Sequence, residues 1–238
     1  MPRPRSAPPA VRDVLRALER VATPRDLANL DRFGITAGNP LGVSMVNIQK
    51  IARTIGRDHR LAAALWATGI YEARLLAAYV DDPALVTITQ MNAWCRDFDN
   101  WGVCDTLCFS LFDRTPHAWS RVHAWAPRRA EFVRRAAFAL VASLAVHDKA
   151  EADQPFLRAL PLIEAAADDE RPLVRKGASW ALRTTGRRNI ALHTAALDVA
   201  TRLAASADAG ARWVGKDAVR ELTGPIVARV LAKSRGRR

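Results

Sequence analysis

Between Asp97 and Cys108 the chain reads Asp-Phe-Asp-Asn-Trp-Gly-Val-Cys-Asp-Thr-Leu-Cys, which sets Trp101 and Asp105 four residues apart in a segment of helical periodicity. Positions i and i+4 of a helix share one face, so the indole and the carboxylate point the same way. An electron-rich indole attracts cations, and a carboxylate stabilises developing positive charge. The pair therefore suits chemistry at a cationic centre. A structural reading stands beside it: an Asp near the start of a helix stabilises that N-terminus or pairs with a neighbouring Arg. Tryptophan at helical spacing is also more often core than ligand platform. The elements that carry the pair have to decide.

Composition bounds those elements. The chain has 238 residues, 50% of them hydrophobic, enough to bury a real core. Thirty-six Lys and Arg against 24 Asp and Glu leave a formal charge of +12, which attracts a polyanion. Nucleic acid is the first candidate and an anionic membrane surface the second; scattered solvated charges are the bland alternative. Cys95, Cys104 and Cys108 cannot all pair, so no disulfide framework is expected and a reducing cytoplasm fits. His117 and His123 follow them without the tight paired spacing of a zinc site, so no metal is expected. No apolar run reaches the ~20 residues that span a bilayer, and no membrane association is expected. Residues 1–9 lack the apolar region of a secretory signal and read as a disordered basic leader. No phosphate-binding glycine loop, dinucleotide fingerprint or Ser-His-Asp arrangement is present, and His147-Asp148-Lys149 reads as a helix C-terminal cap.

Strand signals are nearly absent and helical periodicity runs almost throughout. The expected helices cover about 10–22, 24–32, 43–56, 58–68, 71–80, 84–95, 99–112, 117–125, 130–147, 153–167, 172–186, 189–206 and 210–221. Short breaks at Pro24, Gly38-Asn39-Pro40, Asp81-Asp82-Pro83, Thr115-Pro116, Ala126-Pro127, Asp168 to Pro172 and Gly224-Pro225 suit antiparallel neighbours. Four helix starts share a pattern: Val103-Cys104-Asp105-Thr106-Leu107, Val133-Arg134-Arg135-Ala136-Ala137, Val174-Arg175-Lys176-Gly177-Ala178 and, more weakly, Val214-Gly215-Lys216-Asp217-Ala218. Ala73-Arg74-Leu75-Leu76-Ala77 looks similar. Two helices per step of roughly 30 to 40 residues give an all-α fold, a superhelical α-solenoid of degenerate HEAT-like repeats. A plain helical bundle is the alternative. The expected organisation is one solenoid domain over 10–224 and a basic C-terminal tail over 225–238.

Aligned repeats put Asp105, Arg135, Lys176 and Lys216 at one position, and equivalent positions of stacked repeats form one row. Trp101 lies one turn before Asp105, Trp180 one turn after Lys176, Arg183 three residues further, and Arg212 one turn before Lys216. A basic strip with two indoles and one acid reads as a concave basic groove that tracks phosphates and offers aromatic surfaces to bases. A duplex suits a wide concave solenoid.

The chain resembles the bacterial DNA alkylation repair proteins of the AlkD-like family, HEAT-repeat alkylpurine DNA glycosylases. The resemblance begins near Phe33-Gly34-Ile35 and Leu41-Gly42-Val43-Ser44. It continues through Trp66-Ala67-Thr68-Gly69-Ile70-Tyr71-Glu72-Ala73-Arg74 to Arg183-Thr184-Thr185-Gly186-Arg187-Arg188-Asn189, and so covers most of the chain apart from its two ends. The family's catalytic Trp-x-x-x-Asp is matched by Trp101 and Asp105, its Arg at the start of a later repeat helix by Arg135, and its second tryptophan by Trp180-Ala181-Leu182-Arg183. Ser44 stands where the family has a groove glutamine, Ser143 where a groove Lys can occur, and the segment from Arg135 to Trp180 is several residues longer.

The resemblance implies excision of N3- or N7-alkylated purines from double-stranded DNA, by a monomer in the bacterial cytoplasm, with no cofactor. It makes Asp105 and Trp101 catalytic, Asp105 as the group that stabilises an oxocarbenium-like sugar and orients water. Trp180, Arg135, Lys176, Arg183, Ser44, Arg212 and Lys216 become DNA contacts, and the base need not be flipped into a deep pocket. The family also contains relatives that bind DNA without excising bases. A non-catalytic reader of damaged, bent or branched DNA is therefore the second expectation, and a protein–protein scaffold of HEAT type the third.

Overall fold

A computed structural model describes residues 10–235. The leader over 1–9 and the last three residues of the expected tail lie outside the described residues. The helices are α1 (Val11–Glu19), α2 (Pro24–Arg32), α3 (Met45–Ile55), α4 (His59–Trp66), α5 (Tyr71–Val80), α6 (Ile88–Arg96), α7 (Trp101–Ser110), α8 (Ala118–Trp125), α9 (Glu131–His147), α10 (Asp153–Glu164), α11 (Pro172–Thr185), α12 (Ile190–Ala204), α13 (Ala209–Leu222) and α14 (Pro225–Arg235), with a 3-10 turn at Phe112–Arg114. No strand occurs among the described residues.

Local side chains set the starts. Thr23, Ser44, Asp58, Thr87, Asn100, Asn189 and Asp208 each accept a hydrogen bond from the backbone N–H three residues on, satisfying a donor the helix leaves open. The Thr87 cap explains why α6 starts at Ile88 and not at 84, and Asn100 starts α7 at Trp101. Helical structure also continues past residue 224: Pro225 opens α14, where the sequence reading had placed a tail.

Two compact units divide the chain, Met1–Thr115 and Pro116–Arg238. In the first, α5 packs between α3 and α7 and also against α4. Its core holds Leu65, Leu75, Leu76, Met91, Leu107 and Phe112, all fully buried. The Trp66 and Trp94 rings stack 4.3 Å apart, Trp66 donates its N–H to Asp97 at 2.8 Å, and Arg74 covers the Trp66 ring. One buried carboxylate organises the loop into α3. Glu72 of α5 is fully buried, and it accepts the backbone N–H groups of Leu41 at 2.8 Å, Gly42 at 2.7 Å and Val43 at 3.2 Å. Gly42 has φ +84, and a Cβ there would come within 2.7 Å of the Thr23 carbonyl oxygen. Only glycine fits that turn.

In the second unit α8, α10 and α12 form one layer, and α9, α11 and α13 a second, with α11 between α9 and α13. Each pair, α8/α9, α10/α11 and α12/α13, is a helical hairpin, the unit that stacks in solenoids. From Arg135 to Ala145, α9 is buried without interruption. Arg188 closes its C-terminal end: the guanidinium lies over the Phe156 ring and donates to the carbonyls of Asp148 at 2.6 Å and Glu151 at 2.9 Å. Lys149 caps α9 by donating to the Ala145 carbonyl at 2.9 Å.

Asp169, in the turn before α11, accepts from Arg134 at 2.7 Å and from Arg171 Nε at 2.7 Å. Hydrogen bonds from Arg171 outweigh burial and hold this carboxyl down at about 2, with the Arg134 charge adding to the effect. A folded-state value below the unfolded value of about 4 stabilises the protein above pH 4. That contribution, on the order of 1–2 kcal/mol, is lost as pH falls through 2. Asp169→Asn is expected to flatten the pH dependence of stability between pH 5 and 2, measured by urea denaturation. Glu72→Gln replaces one of the two acceptor oxygens by an NH2 donor facing a backbone N–H and removes the charge, and a loss of about 3 kcal/mol is expected in the same measurement at pH 7.

Candidate nucleic-acid interface

The first unit holds Trp101 and Asp105 as the first and fifth residues of α7. Asn100 is buried, receives Val103 N–H at 2.9 Å and donates to Asp99 at 2.7 Å, so the helix start is rigid. Val103, Cys104, Leu107 and Cys108 face the core, which leaves Trp101, Asp105 and Phe109 half-buried on the other side. The Trp101 indole N–H donates to the Phe33 carbonyl at 3.2 Å, which ties α7 to the C-terminus of α2. Gly102 lies against the Tyr71 hydroxyl: a Cβ there would sit 2.7 Å from that oxygen. Burial, then the charges of Glu72 and Asp99, push the Tyr71 phenol far above its usual range, so it stays a neutral O–H donor.

The cysteines play no part in acid–base work. All three are buried and none is in a disulfide, and burial pushes the Cys95 and Cys108 thiols up, with Asp105 among the negative charges acting on Cys108. Thiols raised this way are poor nucleophiles. Among the described residues no group of three or more His, Cys, Asp or Glu is placed to hold a metal.

Ser44, at the N-cap of α3, is half-buried, and its hydroxyl accepts the Asn47 N–H at 3.4 Å. In the second unit, Arg135 is the fifth residue of α9 and Lys176 the fifth of α11, the place Asp105 holds on α7. Their environments differ. Arg135 is only 6% exposed and donates to the Leu173 carbonyl at 2.6 Å, whereas Lys176 is exposed. Trp180 is half-buried one turn later. Arg183 pairs with Asp217 at 3.3 Å and with Glu221, and it donates through Nε to the Ser179 carbonyl at 3.2 Å. Arg187 also pairs with Glu221, and Arg220 with Asp217. Arg212 donates to the Ser206 and Ala207 carbonyls at 2.8 and 2.9 Å, in the turn between α12 and α13. Lys216 is exposed on α13.

Of the expected row, then, Lys176 and Lys216 offer charge with no acid paired to them among the described residues, while Arg183 and Arg212 spend theirs on the fold. Sequence reasoning missed Asp217 and Glu221, whose i, i+4 spacing on α13 was the available signal. It also left Trp213 and Phe33 without a role, and both are exposed, at 45% and 58%. Trp66, Trp94 and Trp125 are buried, and the half-buried Trp119 donates to Glu151 at 3.0 Å and meets Phe156 edge-on.

Gly102→Ala is expected to displace the Tyr71 hydroxyl and lower stability by about 1–3 kcal/mol. Chemical denaturation followed by tryptophan fluorescence checks this; an unchanged midpoint would remove the close contact from the account.

Comparison with known proteins adds three findings. A family model described as DNA alkylation repair enzyme matches residues 14–222. No curated protein matches the chain. A solved structure described as a new family of proteins related to the HEAT-like repeat DNA glycosylases, with affinity for branched DNA structures, is similar with a TM-score of 0.75. The likeness covers 90% of this chain and 96% of that one at 18% identity, and it establishes the HEAT-like fold.

Proposed function

The chain belongs to the DNA alkylation repair enzyme family, and from that premise we propose that it excises N3- and N7-alkylated purines from duplex DNA by hydrolysing the N-glycosidic bond. The observation that carries this reading is a half-buried carboxylate, Asp105, one turn after an indole pinned by its N–H to the Phe33 carbonyl. A fixed ring and a fixed acid on one helix face form a preorganised site for positive charge.

Alkylation at N3 or N7 makes the purine cationic and weakens its bond to C1′. Departure of the purine with the bonding electron pair leaves an oxocarbenium-like sugar, the cation that glycosidases stabilise with carboxylates. Asp105 stabilises that cation and accepts a hydrogen bond from the attacking water. The water oxygen bonds to C1′, its proton passes to Asp105 or to solvent, and a neutral alkylated base is released. Trp101 offers a π face to the cationic nucleotide, worth ~0.5–2 kcal/mol, and Trp180 is a DNA contact of the second unit. Lys176 and Lys216 supply phosphate contacts; Arg135, Arg183 and Arg212 support the second-unit backbone that presents them, and Ser44 starts α3 in the first unit. The partner in this reading is double-stranded DNA, met by a monomer in the cytoplasm.

The second reading, a protein that binds branched or damaged DNA without excision, is favoured by the described affinity of the similar structure. Chromatography of bases freed from methylated DNA separates the two. Asp105→Asn is expected to lower base release at least ~100-fold while binding persists. Full activity in that variant, or no release by the native protein, sinks the catalytic reading. Lys176→Ala and Lys216→Ala are each expected to reduce the slope of log K against log salt by about one.

A further inference from the structure

Away from Trp101, the first unit carries a recess of about 360 Å³ lined by Gln49, Ala52, Arg53, Gly56, Arg57 and Tyr79. No acidic residue lines it. That volume is at the small end for ligand pockets and suits one polar group better than a whole cofactor. Its side chains carry several donors: the Gln49 amide, the Tyr79 hydroxyl and two guanidinium groups. Gln49 Nε2 donates to the Tyr79 hydroxyl at 3.2 Å, so that oxygen already accepts a hydrogen bond. The Tyr79 O–H in turn points at the Met45 sulfur, 3.6 Å away. A thioether is a weak acceptor, so this hydroxyl would exchange it for a stronger one.

The two arginines have different tasks. Arg57 donates to the Tyr79 carbonyl at 3.1 Å and to the Asp81 carbonyl, and so covers the carbonyl end of α5. Bare, that end would carry partial negative charge and repel an anion. Arg53 is exposed and pairs with no acid among the described residues. The recess therefore has a screened helix end, a poised hydroxyl and a guanidinium with its fork of donors open. These match the oxygens of a phosphate.

Placement says which phosphate. Gln49 and Arg53 are the fifth and ninth residues of α3, and Tyr79 the ninth of α5; α5 buries every residue except Arg74 and Tyr79. Trp101 and Asp105 are the first and fifth residues of α7, and α5 packs against both α3 and α7. Two interaxial spacings of ~8–10 Å separate α3 from α7, so the recess lies on the order of 20 Å from Asp105. At ~3.4 Å per nucleotide that is about six nucleotides along a strand, too far to touch the lesion. We propose that the Gln49–Arg53–Tyr79 recess seats a backbone phosphodiester of the bound DNA, a remote anchor that contributes affinity and not chemistry. This rests on the DNA-binding part of the proposed function and is independent of base excision.

The test uses the full chain carrying Asp105→Asn, so that substrate stays intact, and measures duplex binding against salt. Arg53→Ala is expected to weaken binding about 3–10-fold at 0.1 M salt and to lower the salt slope by about 0.9. Tyr79→Phe is expected to weaken binding to a similar degree with the slope unchanged, because it removes a neutral donor worth about 1 kcal/mol. Arg60→Ala, an exposed arginine on α4 outside the recess, is the equal-charge control and is expected to change the slope by less than half as much. Arg53→Ala and Tyr79→Phe binding like the parent overturns the proposal. Inorganic phosphate that shifts the Arg53 Nε–Hε NMR signal, with duplex affinity unmoved by either variant, assigns a free phosphate and equally overturns it. A parent that fails to bind DNA sinks the functional reading as well; a parent that binds while the variants match it sinks this inference alone.

Discussion

Glu72 is the constraint on which the first unit depends. A fully buried carboxylate is costly unless its oxygens are satisfied, and here three consecutive backbone N–H groups, of Leu41, Gly42 and Val43, satisfy them. The bargain fixes both partners. The loop cannot move without exposing the acid to an apolar core, and α5 cannot rotate without leaving three N–H groups bare. Ser44 then starts α3 one residue after the anchored loop, which settles where Gln49 and Arg53 fall.

From the same anchor the order passes to α7. Tyr71 precedes Glu72, and its hydroxyl lies against Gly102, immediately after Trp101. The Ile35 side chain also approaches Gly102, two residues beyond the Phe33 carbonyl that holds the indole. Trp101 is thus held by the Phe33 carbonyl, its neighbour Gly102 is packed against Tyr71 and Ile35, and Asp105 follows one turn later on a helix start locked by Asn100. Preorganisation of this kind needs no bound ligand. It is the property a site for a transient cation requires, because polar groups that must reorganise during the reaction forfeit much of their stabilisation.

The second unit shows a different economy of charge. The chain carries +12, yet many arginines are spent inside the fold: Arg188 on the α9–α10 turn, Arg135 on the Leu173 carbonyl, Arg134 and Arg171 on Asp169, Arg183 on Asp217 and Glu221. Guanidinium suits such work, since its planar fork satisfies several carbonyls at once and stays charged when half-buried. Lys50, Lys176 and Lys216, compact and strongly hydrated, remain exposed. A basic composition by itself is therefore a weak guide to a binding surface.

The amino-acid sequence by itself determined the helices and their order, because helical periodicity, N-cap residues and Pro breaks act over a few residues. It also placed Trp101 and Asp105 on one face, a relation that 3.6 residues per turn imposes wherever the helix lies. The motifs at Trp101, Arg135 and Trp180 pointed to the family that the match over residues 14–222 establishes. Tertiary structure alone decided which cations are free. Arg183 and Lys176 look alike in sequence, but the acids that neutralise Arg183 lie 34 and 38 positions away, on the neighbouring helix. It decided too that Glu72, unremarkable among two dozen acids, is buried. Each of these depends on contacts between distant segments, and no local pattern in the chain encodes them.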